Sequence, residues 1–186
     1  DIKILVDTGA HVVHCPRSNM KLASGNCPVQ RLLDAGVNVA LGTDGAASNN
    51  RLNMLAEMQT AALLAKLDEG NPTALSAQSA LEMATINGAR ALGIDAVTGS
   101  LEPGKAADVI AVNLGGVHTQ PVVDVVSQLV YATSGQEVSH SWVAGQAVVV
   151  DGQLRNIDVN ELLSRTAGWR EPLLTFKQQQ LLPNRS

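Results

Sequence analysis

Aromatic residues, long apolar runs and excess basic charge are all scarce in this chain. Only 2% of its 186 residues are Phe, Trp or Tyr, and 13 Lys and Arg stand against 17 Asp and Glu, a net charge of −4. A nucleic-acid-binding surface needs many basic residues to contact phosphates and aromatic residues to stack on bases. No apolar run reaches the roughly 18 residues that a membrane-spanning helix needs. The sequence therefore predicts no nucleic-acid partner, no membrane partner and a cytoplasmic location.

Cysteine is also scarce, and the chain does not begin with methionine. Cys15 and Cys27 are the two cysteines, and their spacing fits neither a disulfide framework nor a zinc finger, so we expect reduced thiols. The chain begins at Asp1 in what reads as the middle of a helix, so we expect it to be a piece of a longer protein. Hydrophobic residues make up 45% of the chain and charged residues 16%, which predicts a folded rather than a disordered protein.

The first half of the chain predicts alternating strands and helices. Residues 11–15 form a short β-rich run, and residues 37–41 form a nearly continuous apolar run, with a helix between them. This order predicts a βαβ unit with a parallel sheet covered on both faces. Two amphipathic helices are predicted to follow, over about residues 50–67 and 76–92.

The pattern changes to short β runs near Val97. Residues 107–114 and 142–150 read as strands with hairpin signals, and residues 122–132 read as a helix between them. Asp158, with Glu three residues later, forms a capping box that predicts a last helix through about residue 170.

Two polar side chains end the predicted parallel strands. Asp44 follows the apolar run within the glycine-flanked segment 42–45, and His14 ends the preceding strand. The carboxyl ends of parallel strands are where α/β folds build sites. The alternatives are that Asp44 only caps a helix or braces a turn and that His14 is only a packed residue. His118 and His140 have no acidic partner at metal-ligand spacing and are expected to be structural.

Four motifs occur in a fixed order along residues 14–110. They read HCPRSNMKLASG from residue 14, AGVNVALGTDGAASNN from residue 35, ATINGARALG from residue 84 and GSLEPGKAADVI from residue 99. Together they resemble the carboxyl-terminal half of an amidohydrolase-superfamily deaminase. The branch they resemble is that of 5-methylthioadenosine/S-adenosylhomocysteine deaminases, also called the chlorohydrolase-like or TRZ/ATZ group.

This resemblance implies an α/β fold, the carboxyl-terminal part of a metal-dependent (β/α)₈ TIM barrel plus part of a small β-sandwich domain. A whole barrel takes roughly 250 residues, whereas 43 residues precede Asp44, so the chain has room for two barrel strands. The implied regions are 1–96 for the last strands and helices of the barrel, 97–155 for the β-sandwich portion with an intervening helix, and 156–186 for a carboxyl-terminal helix and tail.

The resemblance also implies roles for single residues. Asp44 matches the family's metal-ligand aspartate, which moves a proton from a metal-activated water to the leaving ammonia. His14 matches a catalytic histidine near the metal that is not a ligand. Asn19, Ser48 and Asp44 are expected to contact substrate. The family's His-x-His, two later histidines and His-x-x-Glu are absent and are expected before Asp1.

The function implied is hydrolytic deamination of a small molecule, an aminopurine nucleoside or related heterocycle. The cofactor is one divalent metal, for which zinc is favoured and iron and manganese also suit, and we expect the chain alone to be inactive and not to retain it. The alternatives are another amidohydrolase activity, such as guanine deaminase or triazine hydrolase, and a non-catalytic structural fragment. Open edges of apolar strands would favour a homo-oligomer.

Overall fold

The fold is mixed α/β, as the sequence predicts. The computed structural model describes residues 1–181, with side chains through residue 179. The first nine elements are α1 (Ile2–Thr8), β1 (Val12–His14), α2 (Pro16–Leu22), α3 (Val29–Asp34), β2 (Val39–Leu41), α4 (Ala46–Asn49), α5 (Met54–Glu69), α6 (Ala77–Ala84) and α7 (Ile86–Ala91). They are followed by β3 (Val109–Val112), α8 (Val125–Ala132), β4 (Val138–Val143), β5 (Gln146–Val150), β6 (Gln153–Leu154), α9 (Val159–Ala167) and α10 (Arg170–Leu181).

Strands β1 and β2 form the predicted parallel pair. His14 lies opposite Leu41 in the register, and the Gly42 N–H donates to the His14 carbonyl at 2.9 Å. Every residue of β2 is buried, because α3, α5, α6 and α7 all pack against it. Covering helices explain why this strand reads as a continuous apolar run rather than an alternating one. The pairing places the ends of both strands at one edge of the sheet.

The predicted helix over residues 50–67 begins later than expected, at Met54. Asn50 has a φ of +67° and ends the short helix α4, so the chain turns before α5 can start. Asn53 then caps α5, its side chain accepting from the Ala56 N–H at 3.1 Å. The extra turn separates the segment after Asp44 from the long helix.

The predicted helix over residues 76–92 is two helices rather than one. Thr85, with φ −129° and ψ −98°, ends α6 and precedes α7. The break redirects α7 so that the Asn87 side chain reaches the sheet, where it donates to the Val39 carbonyl at 3.0 Å. Asn38 donates back to the Asn87 carbonyl at 3.0 Å. These two bonds satisfy buried polar groups that an uninterrupted helix would leave unpaired.

Strands β3 to β6 form a second, antiparallel sheet in the order β3-β4-β5-β6. The two runs predicted over residues 107–114 and 142–150 share a ladder in which Val109 lies opposite Trp142. Among residues 1–181 this sheet has no strand in common with the β1–β2 pair. His140 stacks on Trp142, its neighbour on β4, with ring centroids 5.4 Å apart.

Helix α8 lies between β3 and β4 in the chain but packs on α5 and α6. Val130 is fully buried in the same core as β2 and α5. Gln59 on α5 donates to the Tyr131 carbonyl at 2.7 Å. The predicted helix is therefore present, but its contacts belong to the helical part of the chain rather than to the second sheet.

Glu137 fixes the turn between α8 and β4. Its buried carboxylate accepts from the N–H groups of Ser134 and Gly135, both at 2.9 Å, and lies 2.7 Å from His118 Nε2. Burial alone would raise the pKa of this carboxyl group, but the hydrogen bonds outweigh it and lower the pKa to about 2. His118 is thus one of the groups that contact this carboxylate.

Acid is expected to weaken the fold through Glu137. Its folded pKa of about 2 lies below the ordinary 4.5, so its contribution is fully present above the ordinary value and is lost as pH falls towards the folded one. In Glu137→Gln this part of the pH dependence should disappear. Urea unfolding at about pH 7 and about pH 3 measures it, with the exposed Glu82→Gln as control. Equal acid sensitivity of Glu137→Gln and the unmodified chain would contradict the assignment.

The carboxyl-terminal region holds two helices where one was predicted, because the turn at Gly168 and Trp169 separates α9 from α10. Every residue from 151 to 179 is exposed. Residues 182–186 of the predicted tail lie outside the described residues. No helix of the described part is both long and apolar enough to cross a membrane.

Removing residues 156–186 is expected to leave the stability of the rest nearly unchanged. The described side chains in this region are all exposed, so their removal opens no core. The melting temperature should stay within about 2 °C, equivalent to less than about 1 kcal/mol. Val130→Ala is the matched control, because it empties part of a fully buried site and should lower the melting temperature clearly. A truncated chain that melts as early as this control would contradict the expectation.

Candidate active site

Asp44 lies just beyond the carboxyl end of β2, with an unusual backbone conformation. Its φ of +59° is in the left-handed region, which few residues other than glycine adopt and which Asp and Asn tolerate best. Gly45 then caps α4 at its amino terminus. The turn leaves Asp44 exposed at the sheet edge, where parallel α/β folds place their sites.

Two serine hydroxyls hold the Asp44 carboxylate. Ser48 on α4 and Ser18 in the first turn of α2 both donate to Oδ2, at 2.6 Å and 2.8 Å. These bonds, followed by one from the Gly45 N–H, lower the pKa of Asp44 below its usual range. The carboxylate is therefore ionised at neutral pH and can accept a proton or bind a cation.

His14 ends β1 beside the strand that leads to Asp44. It is only 2% exposed, and its Nδ1 has no hydrogen-bond partner among the described residues. Burial lowers the pKa of His14 to about 4. The imidazole is therefore neutral at pH 7, since its charged form is favoured only below the lowered pKa.

A polar network lies behind the Asp44 loop. Glu57 on α5 is completely buried and accepts from Asn49 Nδ2 at 2.7 Å and from the Arg17 N–H at 3.3 Å. The same Asn49 amide donates to the Thr43 carbonyl at 2.6 Å. Lys21 Nζ donates to the Ala47 carbonyl at 2.7 Å. Helices α2 and α5 thus hold the loop from two sides.

The structure brings some of the predicted site residues together and leaves others apart. Asp44 and Ser48 are in direct contact, and His14 lies on the adjoining strand. Asn19 is half-buried on α2 and makes no side-chain hydrogen bond among the described residues. Its neighbour Ser18, which sequence reasoning did not single out, makes the contact instead. Pro16, at the helix start, is the signal that could have placed Ser18 in the first turn facing the sheet edge.

The described residues contain no complete metal site. Among residues 1–181 no three His, Cys, Asp or Glu side chains lie close enough together to hold a metal ion. A protein-bound zinc ion is usually four-coordinate. Asp44, exposed and ionised, suits one of those positions. The other ligands would have to come from outside the described residues.

Comparison with known proteins shows what the chain is similar to. A 5-methylthioadenosine/S-adenosylhomocysteine deaminase of Teredinibacter turnerae is 56% identical over 173 residues, which cover 93% of this chain and 39% of the relative. A 5'-deoxyadenosine deaminase of Methanosarcina mazei is 47% identical, covering 94% of this chain and 40% of the relative. The chain therefore spans about two fifths of the length of these relatives.

Solved structures give the same result at the level of the fold. An adenosine deaminase of Xanthomonas campestris with bound zinc superposes with a TM-score of 0.91 at 46% identity, over 94% of this chain and 40% of that one. An atrazine chlorohydrolase of Arthrobacter aurescens complexed with zinc superposes with a TM-score of 0.84 at 31% identity, over 90% and 37%. The amidohydrolase family model matches residues 1–148, and because that match covers most of the chain, the chain belongs to the amidohydrolase family.

Proposed function

We propose that this chain supplies part of the active site of a metal-dependent hydrolytic deaminase acting on an aminopurine nucleoside. The observation that supports this most directly is Asp44, ionised and held by two hydroxyls at the end of a buried parallel strand. The chain's similarity to nucleoside deaminases supports the substrate class, with 5-methylthioadenosine and S-adenosylhomocysteine as first candidates. Zinc in two structural neighbours supports zinc as the metal.

The fold is assigned in the same proposal. Strands β1 and β2 would be the last two strands of a (β/α)₈ barrel, and β3 to β6 would be part of a β-sandwich. The separate ladders of the two sheets support a division into residues 1–96, 97–155 and 156–186. Helix α8 is the exception, since it lies in the middle region but packs on α5 and α6. Cytoplasmic location and homo-oligomerisation stay predictions.

In the proposed reaction the residues of this chain would transfer a proton and hold the catalytic carboxylate in place. The bound metal would supply Lewis acidity for attack of water on the substrate. Asp44 would be one of its ligands and would take the proton that the attacking water gives up. Ser18 and Ser48 keep the carboxylate ionised and oriented until then. The proton passes from Asp44 to the leaving amino nitrogen, the bond between the ring carbon and that exocyclic nitrogen breaks, and ammonia leaves. The remaining hydroxyl proton shifts to the adjacent ring nitrogen, which gives the carbonyl product.

His14, Asn19 and Ser48 complete the proposed assignment. His14, neutral at pH 7 because burial lowers its pKa, can donate or accept a hydrogen bond at the substrate without adding a charge beside the metal. Ser48 donates to the Asp44 carboxylate and is only half-buried, which suits it to contact substrate. Asn19, half-buried on α2, has a free amide for the same purpose among the described residues.

A graft into a full-length relative tests the function. The 173 residues of this chain that match the Teredinibacter turnerae deaminase replace the corresponding segment of that protein. We expect the graft to bind about one zinc per chain and to release ammonia from 5-methylthioadenosine, S-adenosylhomocysteine or 5'-deoxyadenosine. The chain alone is the matched control and should release none.

Two results would count against this proposal. A folded, zinc-loaded graft that turns over none of the three nucleosides would overturn the deaminase assignment and favour a non-catalytic fragment. Turnover by the chain alone would overturn the claim that further metal ligands are needed.

A further inference from the structure

We propose that Glu57 is a positioning residue that holds the Asp44 loop in its active conformation, an inference that rests on the proposed function. Glu57 lies on α5, completely buried, and does not contact Asp44 among its recorded hydrogen bonds. It would act through Asn49 and Thr43, the residues on either side of the Asp44 turn.

The burial of Glu57 is the first observation. A buried carboxylate is costly unless hydrogen bonds and opposite charge replace its water. Arg17 Nε is 3.8 Å from Glu57 Oε1, too long for a hydrogen bond. The close partners of Glu57 are instead two donors, the side-chain amide of Asn49 and the backbone N–H of Arg17. If Glu57 served only to stabilise the first turn of helix α5, its carboxylate would not need to be buried.

The second observation is where those two donors come from. The first donor is the backbone N–H of Arg17, which lies at the start of α2, three residues after His14. Asn49 is the last residue of α4, the short helix that follows Asp44. One carboxylate therefore ties together the segments that follow both strand ends.

The third observation is the double use of the Asn49 amide. Its nitrogen donates to Glu57 Oε1 and also to the carbonyl of Thr43, the residue before Asp44. Ser48, its neighbour on α4, donates to Asp44 itself. Glu57 thus orients the amide that fixes the peptide leading into Asp44, and α4 carries the hydroxyl that fixes the carboxylate.

The fourth observation is the left-handed conformation of Asp44. Aspartate tolerates this region with little strain but also adopts the ordinary negative-φ regions, so its neighbours select the conformation that it has here. The chain from Glu57 through Asn49 to Thr43 is such a restraint. Without it, the Asp44 turn should relax and the carboxylate should move away from Ser18 and Ser48.

Two variants in the graft separate positioning from simple stability. Glu57 accepts one hydrogen bond on each of its two oxygens. In Glu57→Gln one of those oxygens becomes an NH₂ group, so a donor then faces a donor and that hydrogen bond is lost. In the double variant Asn49→Asp with Glu57→Gln, the new glutamine can donate to the new aspartate and still accept from the Arg17 N–H. The contact between positions 49 and 57 is then restored, but an aspartate cannot donate to the Thr43 carbonyl.

We expect Glu57→Gln to lower kcat at least about tenfold with KM within about twofold of the unmodified graft. The double variant should recover part of the melting temperature, because the contact between positions 49 and 57 is restored, but not kcat. Glu69→Gln is the matched control on the same helix, because it makes the same charge change away from the Asp44 loop. Its partner is Arg31 at 3.7 Å, and a surface ion pair of this kind contributes little, so both values should stay nearly unchanged.

The 186-residue chain provides a readout that needs neither metal nor activity. NMR chemical shifts and coupling constants of Asp44 report its φ, which should lose its positive value in Glu57→Gln and keep it in Glu69→Gln. If the unmodified graft is inactive, the proposed function fails, but the φ of Asp44 measured by NMR still tests whether Glu57 holds the Asp44 loop. A positive φ retained in Glu57→Gln, or a kcat that recovers together with the melting temperature in the double variant, would overturn the positioning role.

Discussion

Replacing Asp44 with asparagine in the graft is expected to lower kcat at least about 100-fold, within the range that a positioned acid or base contributes. Asparagine has nearly the same shape, and its carbonyl oxygen can still accept from Ser18 and Ser48. It carries no charge for the metal and cannot hold the proton that water gives up. The melting temperature of the variant should therefore stay close to that of the unmodified graft.

Steady-state ammonia release, metal content and thermal unfolding measure this outcome together. Asp68→Asn is the control, since Asp68 is an exposed aspartate on α5 and its replacement makes the same charge change away from the sheet edge. An Asp44→Asn enzyme that keeps more than about a tenth of the rate, a cost below about 1.4 kcal/mol, would show that Asp44 does not transfer the proton.

Gly99→Ala is expected to destabilise the 186-residue chain far more than Gly104→Ala. Both glycines have a φ of +94°, so an alanine is strained equally at either position. At Gly99 a Cβ atom would also lie 2.7 Å from the Ala89 Cβ and 3.1 Å from the Ile86 Cα, both on α7, whereas at Gly104 it would meet nothing within 4 Å. Helix backbone cannot move aside cheaply.

The difference between the two variants isolates the clash. Gly104→Ala should cost about 1 to 2 kcal/mol from strain alone, and Gly99→Ala about 1 to 3 kcal/mol more from overpacking. In a chain of this size the extra cost lowers the melting temperature by about 2 to 4 °C per kcal/mol. Equal melting temperatures would mean that the turn at Gly99 does not pack on α7 in solution.

The elements that the sequence predicts correctly are those with a strong local signal. The apolar run at Val37 to Leu41 predicts a buried parallel strand, and β2 lies within it with every residue buried. The hairpin signals at residues 144–145 and 151–152 predict antiparallel neighbours, as β4 with β5 and β5 with β6 are. Asp44 could be singled out because an acid stands alone among glycines after an apolar strand.

The features that sequence reasoning missed depend on contacts between distant segments. Helix propensity favours an uninterrupted helix through Thr85, but the hydrogen bonds between Asn87 and the sheet require the break. The amphipathic pattern over residues 50–67 did not single out Glu57, which is fully buried. Its partners lie 8 and 40 residues away, and no local pattern encodes that distance.

The roles proposed for Asp44, His14, Asn19 and Ser48 stay predictions. Local pattern placed Asp44 and His14 at the ends of two neighbouring strands, because each strand end depends on a short run of residues, whereas Ser48 on α4 came from the resemblance. Local pattern could not identify Ser18, whose contact with Asp44 joins two segments 26 residues apart.

The left-handed backbone at Asp44 restricts the residues that mutation and selection can place there. Glycine, asparagine and aspartate accept such a φ with little strain. The proposed chemistry accepts a carboxylate, which aspartate and glutamate provide. Glutamate keeps the charge but is disfavoured by the backbone, whereas glycine and asparagine suit the backbone but lack the charge. Aspartate alone belongs to both sets, so one dihedral angle makes the usual exchange between the two acidic residues unacceptable at this position.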